Sequence, residues 1–102
     1  MKGKLYMNNS ISQFINTAKN EPKSSELLII KLMEEVGEVS EAYLSCNHST
    51  ANENKKLTTH DFQEELVDTL MVTATLLVKS GISQQNFDKL FRKKIKKWQS
   101  KQ

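Results

Sequence analysis

The sequence has few residues that interrupt helices or cross-link chains. It contains three glycines, one proline and one cysteine among 102 residues. A single cysteine excludes an internal disulfide and is typical of a reducing compartment. No apolar run approaches the roughly 20 residues that a membrane-spanning helix needs, and the first residues lack the apolar stretch of a secretory signal peptide. These absences predict a cytoplasmic protein that does not contact a membrane.

The scarcity of glycine and proline also favours an all-α fold. Apolar spacing and polar capping residues predict four helices. The first runs from about residue 10 to 19, and the second from 24 or 25 to about 45. The third follows Thr58 and ends at Ser80-Gly81, and the fourth follows Ser83 and includes Trp98. Short connections between them favour an antiparallel four-helix bundle.

Acidic residues are concentrated in two of these helices. Eight of the twelve lie in the windows 34–41 and 61–68, which belong to otherwise largely apolar segments. Burying unpaired carboxylates is costly, so both windows call for a cation. A solvated face with ion pairs between residues i and i+4 is the alternative, but neither window contains a lysine or an arginine. The windows therefore predict a metal site.

Within each helix, the spacing of the acidic residues places most of their carboxylates on one face. One stripe of the second helix holds Glu34, Glu38 and Glu41, and one stripe of the third holds Asp61, Glu65 and Asp68. Both stripes become apolar one or two turns further along, which a solvated face would not do. Antiparallel packing would bring the two windows to the same level of the bundle.

The ligand chemistry narrows the choice of metal. Carboxylate-only sites suit hard cations, which predicts Mg²⁺ first and Mn²⁺ second. A di-iron bundle would need histidine three residues after glutamate, and neither His48 nor His60 has that position. Zinc would need histidine or cysteine ligands, so Cys46 and both histidines are predicted to be structural or exposed.

The two windows also resemble a known family. Glu34-Glu35-x-x-Glu38, followed after 26 residues by Glu65-x-x-Asp68, is similar to the EExxE…ExxD signature of the MazG-like, all-α nucleoside triphosphate pyrophosphohydrolases. The similarity covers about residues 24–98 within a single domain of residues 1–102. It implies Mg²⁺-dependent hydrolysis of a ribo- or deoxyribonucleoside triphosphate to the monophosphate and pyrophosphate.

The resemblance also implies roles for individual residues. The implied metal ligands are Glu35, Glu38, Glu65 and Asp68. Glu34 would be either a further ligand or the catalytic residue that orients and deprotonates the attacking water. Basic residues near the C-terminal helix of such proteins hold the phosphates, and the candidates here are Lys93, Lys94 and Lys97.

A solvated amphipathic face is the alternative for most of the basic residues in the fourth helix. A nucleic-acid partner is disfavoured because the segment lacks interleaved aromatic residues for base stacking. Trp98 lies on the apolar stripe of this helix and is therefore expected in the core.

The second and third helices place apolar residues nearly all round their axes over residues 27–39 and 71–78. A second buried face on each helix predicts a homo-oligomer, either a dimer or a tetramer. Two other functions stay open. One is a phosphoribosyl-ATP pyrophosphohydrolase, which shares the fold and motif, and the other is a non-catalytic helical regulatory or binding module.

Overall fold

The computed structural model describes the backbone of residues 2–47 and 57–102 and the side chains of residues 10–47 and 57–102. These residues form four α-helices and, within the described ranges, no strand. The helices are α1 (Lys2–Lys19), α2 (Ser25–Cys46), α3 (Thr59–Lys79) and α4 (Gln84–Ser100). The predicted all-α class and the four helices are confirmed. None of these described helices combines the length and the apolar composition that crossing a bilayer requires.

Hydrogen bonds at the helix ends explain why the predicted boundaries of α2, α3 and α4 agree with the structure. Ser24 and Ser83 cap the first turns of α2 and α4. At α3 the Asp61 N–H donates to Thr58 Oγ1 at 3.2 Å, while the Thr58 N–H donates to the Asp61 carboxylate at 2.7 Å. This reciprocal pair is a capping box. After α3, Gly81 has φ of 81°, the left-handed conformation that ends a helix most readily at glycine.

The start of α1 differs from the prediction. The helix begins at Lys2 rather than near Ser10. Apolar spacing becomes regular only from Ile11 onward, so periodicity alone underestimates the helix. Residues 2–9 contain lysine, leucine and methionine, which are good helix formers, and no proline. The segment therefore permits the helix to extend beyond its amphipathic part, although Gly3, Asn8 and Asn9 are poor helix formers. The predicted loop between α2 and α3 lies mostly outside the described residues, as does His48.

The helix α3 packs against both α2 and α1. Its contacts with α2 pair Tyr43 with Phe62 and Glu38 with Glu65, so residues late in α2 face residues early in α3. This packing brings the two acidic windows to the same level. At the other end of α3, the side chain of Lys79 donates to the backbone carbonyl of Glu21 at 2.8 Å.

A single chain buries little apolar surface. Among the described side chains, the buried apolar residues are Ala18, Leu28 and Ala42. Sixteen large apolar side chains are exposed instead. The radius of gyration is 16.5 Å, whereas a compact domain of this length has about 13 Å. The core of one chain is therefore incomplete.

The helix α4 accounts for part of this exposure. No Cα atom of α4 lies within 8 Å of a Cα atom of α2 or α3 in the described residues. Trp98 is 70% exposed, so the prediction that it lies in the core is wrong for a single chain. The physical reason is that the short connection after Lys79 carries α4 away from the α2–α3 pair, which leaves its apolar stripe without a surface to cover.

Ser45 provides a first testable contact. Its side chain is buried, and its Oγ accepts a hydrogen bond from the backbone N–H of Leu57 at 2.7 Å. We expect Ser45→Ala to lower the free energy of unfolding by about 1–2 kcal/mol, because the Leu57 N–H loses this acceptor. Urea denaturation measures the change. Ser25→Ala removes an exposed hydroxyl from the same helix and should cost much less; equal losses would contradict the role of the Ser45 contact.

Candidate metal centre

Three carboxylates meet where α2 faces α3. Glu35, Glu38 and Glu65 each offer an oxygen atom, and these oxygens lie within 4.8 Å of one another. Glu35 and Glu38 occupy successive turns of α2, and Glu65 approaches them from α3. The structure thus brings together three of the four carboxylates that the resemblance implies as ligands. We refer to Glu35, Glu38 and Glu65 as the carboxylate cluster.

Burial makes this cluster unusual among acidic groups. Glu35 is only 3% exposed. The Oε2 atoms of Glu35 and Glu65 are buried and have no hydrogen-bond partner among the described residues. Buried polar atoms are normally paired, because leaving them unpaired costs the full penalty of desolvation. Two such oxygens in one cluster are the donor atoms that a bound cation would satisfy.

The protonation of Glu65 reflects the same crowding. Burial, a hydrogen bond with Glu38 and the negative charge of Glu38 raise the pKa of Glu65 from 4.5 to about 7. The charges of Glu35 and Asp68 act in the same direction. Near neutral pH, a proton between Glu65 and Glu38 replaces part of the positive charge that a cation would supply.

Lys31 supplies a counter-charge that sequence reasoning missed. Its Nζ lies 2.9 Å from Oε1 of Glu35, in an ion pair between positions i and i+4. The hydrogen bond with Glu35 and the charge of Glu35 raise the pKa of Lys31, and the charges of Glu34 and Glu38 add to this effect. Lys31 lies just before the first acidic window, so counting charges inside the window overlooked it. Its spacing from Glu35 was the available signal.

The ion pair shows that i,i+4 pairing, which the sequence disfavoured, does occur at Glu35. It does not neutralise the whole cluster. The alternative of i,i+4 pairing is realised at Oε1 of Glu35. The other oxygen, Oε2, stays buried without a hydrogen-bond partner among the described residues. A single lysine also leaves the three carboxylates with excess negative charge. Lys31 therefore pairs with one oxygen of Glu35 and leaves the other available to a ligand.

Removing Lys31 gives a test that does not depend on catalysis. We expect Lys31→Met to tighten binding of Mn²⁺ alone by about threefold to tenfold, because the cluster loses a competing positive charge. Isothermal titration calorimetry at low ionic strength measures this affinity. Lys31→Arg keeps the charge and should bind Mn²⁺ like the wild type. Weaker binding by Lys31→Met would mean instead that Lys31 orients Glu35 for the metal.

The other residues implied by the resemblance lie outside the cluster. Glu34 is exposed on α2 beside Glu35. Asp68 is exposed one turn after Glu65, and its charge reaches Glu65. It lines a shallow groove of about 250 Å³ along α3, together with His60, Gln63, Glu64 and Val67.

The three lysines assigned to phosphate are also apart from the cluster. Lys93, Lys94 and Lys97 are exposed on α4. Because α4 has no Cα atom within 8 Å of α2 or α3 in the described residues, a single chain does not pack them beside the carboxylates.

An aromatic pair lies at the same end of α2 and α3 as the acidic windows. The rings of Tyr43 and Phe62 meet edge to face, with centroids 5.4 Å apart. Phe62 precedes Glu65 by one turn of α3, and Tyr43 follows Glu38 by more than one turn of α2. Tyr43 is 52% exposed, so part of this apolar surface is open to a ligand.

No family profile, curated protein or solved structure matches this chain.

Proposed function

We propose that this chain is a Mg²⁺-dependent nucleotide pyrophosphohydrolase that cleaves a ribo- or deoxyribonucleoside triphosphate to the monophosphate and pyrophosphate. The observation that carries the proposal is the carboxylate cluster: one oxygen of each residue lies within 4.8 Å of the others, and Glu35 and Glu65 each have a buried oxygen without a hydrogen-bond partner in the described residues. The EExxE…ExxD resemblance supports the reaction class and the MazG-like assignment.

The donor set of the cluster fits Mg²⁺. All three donors are carboxylates, and Mg²⁺ prefers oxygen ligands from a few carboxylates together with substrate phosphates. Glu35, Glu38 and Glu65 would hold the ion, with Asp68 as the fourth ligand implied by the resemblance. When bound, Mg²⁺ neutralises charge on the phosphate oxygens and favours attack at phosphorus. Mn²⁺ is the expected substitute.

The remaining groups of the site would handle the water and the nucleotide. Glu34 is exposed beside Glu35 and would accept a proton from the attacking water as a general base. Oxygen from that water joins the α-phosphorus, and the bond to pyrophosphate breaks. Tyr43 and Phe62 offer an aromatic surface against which a base can pack.

We also propose that the protein acts as a homo-oligomer, a dimer or a tetramer, in which the antiparallel four-helix bundle is completed. The large apolar side chains exposed on α2 and α3 support this assembly. A cytoplasmic location is part of the proposal, because the lone Cys46 suits a reducing compartment.

A substrate panel tests the proposed reaction. The purified protein is incubated with Mg²⁺ and separately with each common nucleoside triphosphate, each deoxynucleoside triphosphate and phosphoribosyl-ATP. We expect monophosphate and pyrophosphate in equal amounts from at least one nucleoside triphosphate, and no product when the metal is chelated. Exclusive cleavage of phosphoribosyl-ATP would assign the alternative enzyme. No cleavage of any substrate with Mg²⁺ or Mn²⁺ would leave the non-catalytic binding module.

A further inference from the structure

The helix α4 has the composition of a packed helix, but within the described residues it packs on neither α2 nor α3. Its apolar stripe consists of Phe87, Leu90, Phe91, Ile95 and Trp98. Of these, Leu90, Phe91, Ile95 and Trp98 are at least 39% exposed. Isolated helices of about 15 residues are marginal in water, so a 17-residue helix of this kind gains most of its stability from packing. Something must cover the stripe.

The outer face of α2 also exposes apolar side chains that are not covered by the described part of the chain. On the side turned away from α3, it carries a charge-free stripe made of Ile29, Met33, Val36, Gly37, Ser40 and Leu44. Its four large apolar side chains are between 38% and 70% exposed. A Cβ placed on Gly37 would meet nothing within 4 Å. The middle of this stripe is therefore open enough for another helix to approach closely.

The charges of the two surfaces are complementary. Residues 84–100 hold six basic side chains and one acidic one, for a net charge of +5. Residues 25–46 hold five acidic side chains and one basic one, for a net charge of −4. By helical phase, Lys97 lies on one flank of the α4 stripe and Glu34 on the rim of the α2 stripe, whereas Lys94 lies within the α4 stripe, one turn after Leu90 and Phe91. Apolar stripes can thus pack while opposite charges face each other at the edge.

The exposed area is more than enough to supply an interface. One chain exposes 8530 Å², whereas a compact folded monomer of this mass exposes about 5,900 Å². The excess is about 2,600 Å² per chain, and a standard interface removes only about 800 Å² from each partner. A second copy of this chain provides both the area and the complementary charge.

We propose that α4 of one copy packs its apolar stripe on the outer stripe of α2 in a second copy, and that the second copy returns the same contact. This exchange is two-fold symmetric, because each copy supplies one α4 and one α2 surface. It also brings Lys94 and Lys97 of one copy towards the acidic α2 of the other. A role for those lysines in holding triphosphate rests on the proposed function, whereas the contact itself does not.

Single substitutions on the two stripes test the contact without nucleotide. In sedimentation velocity at micromolar concentration we expect a dimer for the wild type, and at least tenfold weaker association for Phe91→Asp and for Met33→Asp. Gln85→Asp adds the same charge on the opposite face of α4 and should leave association unchanged. A wild-type monomer, or a Phe91→Asp protein that associates like Gln85→Asp, would overturn the proposal.

Mixing the two variants identifies which surfaces meet. The Met33→Asp copy keeps an intact α4 stripe, and the Phe91→Asp copy keeps an intact α2 stripe. In a dimer of the two variants these intact stripes pack on each other. We therefore expect the mixture to form heterodimers although each variant alone associates weakly. If α4 packs on α4, Met33→Asp alone should still dimerise like the wild type, and if α2 packs on α2, Phe91→Asp alone should do so. Either result would overturn the proposed pairing.

Trp98 gives a readout on the unmodified protein. It is the single tryptophan of the sequence and lies on the α4 stripe. Its emission should shift to shorter wavelength as the protein concentration rises through the dimerisation range. An emission that reports exposed tryptophan in the dimer would contradict the contact. Salt-sensitive binding of a monomeric protein to phosphatidylserine vesicles, with a blue shift only there, would assign the stripe to an anionic membrane surface instead.

Discussion

Glu38→Gln is expected to lower pyrophosphate release by about a hundredfold or more while leaving the helical content unchanged, because the charge that faces the metal and phosphates is lost. Gln has nearly the same volume as Glu, so packing between α2 and α3 is preserved. Glu38 is exposed and contacts Glu65, which places it at the open side of the cluster. Product formation at saturating Mg²⁺ and circular dichroism measure the two quantities.

Although Glu38→Gln should lower activity, it should raise the stability of the metal-free protein. Without metal, Glu38 and Glu65 repel each other when both are ionised, and a neutral side chain at position 38 removes that repulsion. Glu38→Gln should therefore melt higher than the wild type in a chelating buffer at about pH 8 and gain less from Mg²⁺. Glu26→Gln changes an exposed carboxylate at the start of α2 and serves as the control. Full activity in Glu38→Gln would exclude the proposed site.

The second large effect is the response of stability to Mg²⁺. At a concentration about a hundredfold above its dissociation constant, a ligand of the folded state adds about 2.7 kcal/mol. For a domain of this length, that free energy raises the melting temperature by on the order of 10 °C. Differential scanning calorimetry with Mg²⁺ and with chelator measures the difference. An indifferent melting temperature would contradict a site that is formed in the folded protein.

The pH dependence of stability distinguishes specific Mg²⁺ binding from a general effect of ionic strength on the melting temperature. The pKa of Glu65 is raised from 4.5 to about 7 in the metal-free protein. Between these values the folded state binds more protons than the unfolded state, so stability falls as the pH rises through this window. A bound divalent cation favours the ionised carboxylate, so saturating Mg²⁺ should remove that fall.

Glu65→Gln provides the matched control, because it removes the titrating group and should flatten the metal-free profile over the same window. A wild-type profile that does not fall between these pH values without metal, or that falls equally in Glu65→Gln, would show that another group causes the dependence.

The elements of the fold could be predicted because their signals are local. Thr58, Ser83 and either Ser24 or Ser25 were predicted as caps from residue type and position. Ser24, Thr58 and Ser83 each accept a hydrogen bond from the backbone three residues on. Such bonds form within one turn of helix and need no partner from elsewhere in the chain. The start of α1 was missed because its first turns have helix propensity but no regular apolar spacing.

The candidate site could be predicted only in outline. Helical phase and the EExxE…ExxD spacing selected the two acidic windows, since both are properties of single helices. The pairing of Lys31 with Glu35 is also local, but Lys31 lies three residues before the first acidic window, so the charges inside that window do not reveal it. Which carboxylate would be buried and which exposed could not be read from phase alone, since Glu34 and Glu35 are neighbours with opposite environments.

The sequence by itself determined the all-helical class, the ends of α2 and α3, the start of α4, and the concentration of carboxylates in two helices, because hydrogen bonding and propensity act over a few residues. Only the tertiary structure decided that Glu35, Glu38 and Glu65 meet within 4.8 Å and that α4 leaves its apolar stripe uncovered. Those outcomes depend on how segments about 30 residues apart pack and on which surfaces lose water, and neither quantity is contained in one helix.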